Sequence, residues 1–331
     1  MNCRKYIIVT GGTGFIGSCL LAKLEEEGYD NIICIDNFEG NKWINVAHRN
    51  ICIRYFLPHQ IEKVLFDYCN QICAIIHLGG ISTTTESNVN KIVTTNIQLS
   101  LLLYDYCNKY KIQFIYASSA STYGDGKFGF EDNESLEYLG QLKPLNPYAW
   151  SKLCIDKYIF RNSNGILKDF QTVGLRFFNV YGPNEYHKGT QASVLFHFFN
   201  QLKSTKEIKL FASNNPTYKD GEQNRDFVHV DDCTNVIIWF LRNPNISGIF
   251  NVGTGTSTTF NKIAALVINR IDKSGIVSYV NIPNNIAVHY QNHTLANIKK
   301  LRSVGYKNKF ISIEEGLISY IDKLNSSDIY L

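Results

Sequence analysis

The sequence predicts an α/β fold: a doubly wound parallel sheet with a smaller C-terminal lobe. Three observations predict it. Short, β-rich apolar runs alternate with segments of helical apolar spacing. The first run enters a turn carrying Gly11, Gly14 and Gly17, and a helical pattern follows at once. The second run ends on a carboxylate, Asp36. Alternation of strand and helix gives parallel βαβ units with right-handed crossovers. A chain of 331 residues exceeds one ordinary domain, so an appended lobe is expected.

The elements follow in order. Tyr6-Ile7-Ile8-Val9 is continuously apolar, as in a strand buried on both faces. Ser18 to Glu27 reads as the first helix, stopped by Gly28. Asn31 to Asp36 and Cys73 to Leu78 read as strands, and the latter runs into Gly79-Gly80. Ile92 to Tyr110 has helical spacing, and Gln113 to Ser119 is a further strand. Asn214 to Asn224 is polar and predicts a loop. Phe227 to Val230 is strand-like, and Asp231-Asp232 is expected to cap a helix through Leu241. The expected division assigns 1–179 to a dinucleotide-binding unit of Rossmann type, to which 226–262 return. Residues 180–225 and 263–331 then form the substrate-binding lobe.

Composition excludes several classes. Apolar residues are 44% and charged residues 19%, which is globular chemistry. The net charge of +4 is dispersed, with no basic block, so no nucleic-acid partner is expected. No apolar run approaches the roughly 18–20 residues that span a bilayer, so no membrane partner is expected either. Arg4-Lys5 before an apolar stretch imitates a leader peptide, but Gly11, Gly12 and Gly14 within that stretch favour a strand and its turn. The nine cysteines are scattered, and Cys69 and Cys73 lack a second pair nearby, so no metal site is expected. Most read as small buried residues kept reduced, as in a cytoplasmic protein.

The glycine turn lets backbone N–H groups approach a pyrophosphate at a helix N-terminus. Asp36 stands where a carboxylate can hold a ribose hydroxyl. Its charge favours NAD. Lys42 on the following loop is close enough to meet a 2′-phosphate, so NADP stays open, and a solvated Lys42 is the plainer reading.

The chemistry-bearing cluster is Ser118-Ser119 at a strand end, with Tyr148 and Lys152 four residues apart after Pro147. That spacing puts both side chains on one helical face. A free tyrosine is a poor base at neutral pH, and a nearby ammonium together with a positively charged cofactor ring would stabilise the phenolate. Ser119 would position a substrate alcohol.

At these residues the chain resembles a known family. Thr10 to Gly17, Ser118 to Gly124, Asn146-Pro147-Tyr148 with Lys152, Arg176 to Pro183 and Arg225 to Asp232 resemble the extended short-chain dehydrogenases/reductases, which act mainly on nucleotide sugars. Ser82-Thr83-Thr84-Thr85-Glu86, Gly182 to Gly189, Ala192-Ser193-Val194 and Phe196-His197 resemble the ADP-L-glycero-D-manno-heptose 6-epimerase family. That resemblance implies inversion at C6 of ADP-heptose through a transient ketone, for lipopolysaccharide. It implies Tyr148 as one acid/base, Lys188 as the second, and Ser119 and Lys152 beside them. It implies a cofactor site of Gly11, Gly14, Phe15, Ile16, Gly17, Asp36, Asn37, Lys42, Leu78, Gly79, Gly80, Ser82, Asn96, Lys152, Val180 and Lys188, taking NADP or NAD. It implies a substrate site of Ser119, Asn179, Thr190, His197, Phe211, Ala212, Ser213, Asn214, Arg225 and Tyr290. It further implies a cytoplasmic homo-oligomer, pentameric in that family.

The sequence departs from the pattern in places. Arg54 and Phe56 stand near a position where the family commonly has lysine, Leu78 where it often has an acid, and the segment 215–223 is an insertion beside the substrate loop. Two other readings compete. A nucleotide-sugar 4-epimerase shares the Ser/Tyr/Lys set and is separated only by the His187-Lys188 loop and Thr83-Thr84-Thr85. A non-catalytic dinucleotide sensor would not need the Tyr/Lys pair. A 4,6-dehydratase is excluded because Ala120-Ser121 stands where an acidic pair would be required.

Overall fold

The computed structural model describes residues 5–50, 52–161, 169–283, 287 and 290–331. Cys3 and Arg4 of the sequence reading lie outside them. A seven-stranded parallel sheet runs in the order β10-β6-β5-β4-β1-β2-β3. Its strands are β1 (Tyr6–Thr10), β2 (Ile32–Ile35), β3 (Arg54–Phe56), β4 (Ile72–His77), β5 (Gln113–Ser119), β6 (Thr172–Phe177) and β10 (Gly248–Val252). The order reverses between β1 and β4, and ligands of such sheets bind outside the strand ends at that point.

Alternation of side chains across β1 explains the layers. Ile7 and Val9 pack with Leu20 and Leu24 of α1 (Phe15–Glu26) and with Val236 and Ile237 of α8 (Val230–Arg242). Ile8 faces the other way. It packs with Val64 of α2 (Ile61–Asp67), Leu103 of α4 (Leu99–Tyr110) and Leu153 and Ile159 of α6 (Pro147–Phe160). The apolar runs seen in the sequence are the strands buried on both faces by these helices.

A second body is built from α7 (Val194–Thr205), α9 (Phe260–Ile271) and α11 (Ile313–Leu324), around β8 (Glu207–Phe211) paired in parallel with β12 (Ile276–Val280). β9 (Asn224–His229) lies between β7 (Asn179–Tyr181) and β11 (Ser257–Thr259) in a separate three-stranded sheet.

Three boundaries differ from the sequence reading, each for a physical reason. The first helix begins at Phe15, inside the glycine turn, because Gly14 itself is its N-cap. The helix expected over Ile92–Tyr110 is broken by a wide π turn at Val93–Gln98 that carries the buried Asn96. Asp231 and Asp232 do not cap α8. His229 does, its Nδ1 accepting from Asp231 N at 3.3 Å, while Asp232 accepts from Ile311 N. Burial pushes the Asp232 carboxyl up to about 7.

Cys19, Cys34, Cys107 and Cys233 are buried, Cys69, Cys73 and Cys154 are half-buried and Cys52 is exposed. Among the described residues no helix is long and apolar enough to cross a membrane, and no group of three His, Cys, Asp or Glu could hold a metal.

Candidate active site

The glycine turn is built by close approach. At Gly17 a Cβ would lie 2.0 Å from the Gly11 carbonyl oxygen, and at Gly11 one would lie 2.5 Å from Gly79 N with φ at +72°. Gly14 is different. Its φ is −71°, and an added Cβ would meet only the Gly11 oxygen, at 3.2 Å. Packing within the chain therefore does not require glycine there. A side chain at that position would fill the space before the α1 N-terminus, which no side chain caps. A pyrophosphate fits that cradle.

Asp36 closes the turn. Its Oδ2 accepts from Thr13 N at 3.0 Å and from Thr13 Oγ1 at 2.6 Å, and its Oδ1 accepts from Asn37 N at 2.7 Å. Lys42 Nζ stands 3.7 Å from Asp36 Oδ1. A depression of about 580 Å³ opens beside them, lined by Asn37, Phe38, Glu39, Leu57, Pro58 and His59. It lies at the β2–β3 edge, away from Tyr148 near β5.

Tyr148 and Lys152 occupy one face of α6, which Asn146 caps through Ala149 N. Ser119 lies near enough to Tyr148 to act on its phenol, and Ser119 Oγ accepts from Ser121 N at 3.1 Å. The sequence reading expects a depressed tyrosine. The chain's own groups act the other way: burial raises the phenol, and Ser119 opposes it. Burial pushes the Lys152 ammonium down to about 8, with Asp156 opposing. Lys152 lies under Gly80, whose added Cβ would be 3.9 Å from Nζ. Asn96 holds that loop: its Oδ1 accepts from Ile81 N, and its Nδ2 donates to Ile81 O and Ser151 Oγ. Leu78 N donates to Thr10 O, and Gly79 N donates to Thr10 Oγ1.

Beneath this face lies a feature the sequence reading missed. Asp156, one turn beyond Lys152, is fully buried and accepts from Arg176 Nε and Nη2, Tyr116 OH and Ser118 Oγ. Of the two serines, Ser118 therefore serves the core and Ser119 faces Tyr148. The four-residue step from Lys152 to Asp156 could have revealed it.

Lys188 stands on a short 3₁₀ turn, Tyr186–Gln191, with Nζ 5.3 Å above the Phe15 ring. Burial lowers its ammonium, and Glu185 opposes. Glu185 is itself buried, accepting from Ser193 N, Ser193 Oγ and Tyr320 OH. Among the described residues no direct contact joins Lys188 to Tyr148. Val180 packs between Ile16 and the core, and Ile16 beside Phe15.

The expected substrate residues gather in part. The Arg225 guanidinium lies 5.2 Å from the centroid of the Tyr290 ring, and Tyr290 meets Phe211 edge-on at 6.0 Å. Ala212 N donates to Val280 O, and Ser213 N donates to Asp220 Oδ1. Asn179 Oδ1 accepts from Thr294 Oγ1. Thr190, Asn214 and Ser82 are exposed, and His197 sits beside Phe196 on α7. The insertion is anchored: Asn261 Nδ2 donates to Asp220 O and Glu222 Oε1.

Comparison with known proteins follows this geometry. A model of the NAD dependent epimerase/dehydratase family matches residues 7–253. This chain belongs to that family. It is 38% identical over 329 residues to the ADP-L-glycero-D-manno-heptose-6-epimerase of Nitratidesulfovibrio vulgaris, covering 98% of this chain and 99% of that one. It is 40% identical over 318 residues to the enzyme of the same name from Alkalilimnicola ehrlichii, covering 96% of each. Among solved structures, the ADP-L-glycero-D-manno-heptose-6-epimerase of Helicobacter pylori superposes with a TM-score of 0.81 at 27% identity, covering 98% of this chain and 97% of that one. The UDP-glucose 4-epimerase of Thermus thermophilus, in complex with NAD, shares the fold with a TM-score of 0.75 at 23% identity, covering 97% and 99%. Membership bears out the sheet and the family expected from the motifs.

Proposed function

We propose that this chain inverts C6 of ADP-D-glycero-D-manno-heptose, giving the L epimer, a lipopolysaccharide precursor, through a transient 6-ketone. The name shared by its full-length relatives supports the substrate. The observation that carries the mechanism is a second desolvated base, Lys188, on an element separate from Tyr148.

The residues of the glycine turn fit a nicotinamide dinucleotide, with Gly14 leaving room for its pyrophosphate and Asp36 and Lys42 beside its far ribose. NADP is our reading because Lys42 supplies a cation there, and NAD is the alternative. When bound, that group supplies removal and return of the C6 hydride. The chain handles protons. Ser119, fixed by Ser121 N, holds the C6 oxygen beside the Tyr148 hydroxyl. Tyr148 takes or returns the oxygen's proton while the Lys152 ammonium stabilises the phenolate. Inversion requires the ketone to present its other face, which moves its oxygen away from Tyr148. Lys188, whose burial makes the neutral amine accessible, exchanges the proton in that orientation. Arg225, Tyr290 and Phe211 form the outer wall for the nucleotide. We place the reaction in the cytoplasm, consistent with the scattered cysteines, and assembly as a homo-oligomer rests on the family resemblance.

The test supplies each C6 epimer separately and follows product by NMR at C6. Tyr148→Phe and Lys188→Met should each slow epimerisation by about 10²–10⁴, the usual share of a positioned acid/base. Wild-type epimerisation by Lys188→Met overturns the two-base reading and leaves Tyr148 as the single acid/base.

A further inference from the structure

The structure assigns Asn45 a positioning role: its side-chain amide ties the turn bearing Lys188 to the glycine turn between β1 and α1. The inference rests on the two-base reading above.

Asn45 lies in the 3₁₀ turn Lys42–Val46 and is 1% exposed. Its Nδ2 is 2.9 Å from Thr13 O, 3.3 Å from Asn184 O and 3.1 Å from His187 Nδ1. Three segments distant in sequence thus meet at one nitrogen. Two carbonyl oxygens there fix the amide's orientation, because only its N–H side can face them. The two N–H groups of the amide thus face the Thr13 and Asn184 carbonyls, and His187 Nδ1 packs against the same nitrogen. Burial, together with Lys42 and Lys188 nearby, pushes that imidazole down to about 4, so it is neutral at pH 7.

Each tied segment is rigid on its far side. Thr13 gives both its N–H and hydroxyl to Asp36. Asn184, at φ +70°, donates to Ser18 Oγ and accepts from Leu331 N. Lys188 N donates to Glu185 O, and the strained Gly189 follows at φ +53°. Asn45 links all three, beside the Asn184 to Ser18 bond that joins two of them. Its own turn keeps other bonds, Ile44 N to Asn41 O and Ala47 N to Ile44 O, so losing the amide removes the tie and spares the turn. A base displaced by about an ångström can cost about 10²-fold in rate.

The experiment uses Asn45→Ala and, as a milder variant that keeps one donor, Asn45→Ser. Folding is checked by circular dichroism. The first readout is ¹⁵N NMR of His187 without turnover. The wild type should show one sharp set of ring resonances from a fixed neutral imidazole, whereas Asn45→Ala should shift and broaden them. The second readout is single-turnover oxidation from each C6 epimer, read by absorbance of the reduced nicotinamide. In Asn45→Ala the epimer whose oxidation depends on Lys188 should slow about 10²-fold in kcat with KM unchanged. The Tyr148-dependent epimer should react at the wild-type rate, with Asn45→Ser in between. An unchanged His187 ring spectrum, or equal loss on both epimers, overturns the proposal. Wild-type rates in Asn45→Ala overturn it too where Lys188→Met is slow. A fast Lys188→Met would instead overturn the two-base reading.

Discussion

The two regions proposed to handle protons are built in opposite ways. Tyr148 and Lys152 ride on α6, a 14-residue helix rooted in the core, with Asp156 and Arg176 paired beneath it and both fully buried. Lys188 rides on a single 3₁₀ turn, held by the carboxylate of Glu185 on one side and Asn45 on the other. A helix fixes side-chain positions through its own period, so its chemistry shows as spacing. A turn has no period, and long-range hydrogen bonds must place its base. Rigid placement on one side and borrowed placement on the other suits a site that must serve two orientations of one ketone.

Removing the root of the helix is the strongest way to break that contrast. Asp156→Ala leaves the Arg176 guanidinium buried and unpaired and strips Tyr116 OH and Ser118 Oγ of their acceptor. Losing one partner of a buried pair costs about 3–5 kcal/mol. Denaturant unfolding should show a loss of that order. A loss near that of a surface substitution would mean that α6 is held otherwise.

The same contrast explains how much was legible beforehand. The apolar strands, the glycine turn, Asp36 and the Tyr148/Lys152 pair all follow from local periods or spacings, and the fold realises them. Gly14 could be read from its three-residue spacing in the turn, although its neighbours in the chain do not require glycine there. Gly12 was read only as part of the turn, and the distant partner that requires it is Cys34, whose Sγ would lie 2.5 Å from a Cβ. Asn45 and Glu185 act through partners far away in sequence with no local pattern to mark them, and only its four-residue step from Lys152 marks Asp156. Lys188 as a base came from resemblance alone, because a loop lysine carries no spacing of its own. The π turn at Val93–Gln98 was hidden because one extra residue per turn hardly disturbs helical apolar spacing.

A subtler probe concerns the charge stored on the helix. Burial holds the Lys152 ammonium at about 8 in the folded chain, below its ordinary 10.5. The folded state therefore binds fewer protons than the unfolded state between those values, and stability rises as pH climbs through that window. Below it, burying the charge costs about 3 kcal/mol by that shift. Lys152→Met should be more stable than the wild type at pH 7 by about that amount, with the gap closing as pH approaches 10. Parallel stability curves measured across that range would contradict a buried lysine cost on the Tyr148 side.

The smallest effect sharpens the loop side. Lys42 sits in the same 3₁₀ turn as Asn45 and is 3.7 Å from Asp36. Its side chain is about a third exposed, so that ion pair is screened and contributes little. Asp36 keeps its three bonds to Thr13 and Asn37 without it. Lys42 is therefore free to turn toward a 2′-phosphate, whose charge Asp36 would otherwise repel. Lys42→Ala should weaken NADP by about 1–3 kcal/mol, a charge-assisted hydrogen bond, and leave NAD nearly unchanged. Calorimetry with both dinucleotides measures the difference. Equal weakening of both would place Lys42 on the shared part of the cofactor. If neither changes, the cation serves Asp36 alone and the reading of NADP as the cofactor loses its support.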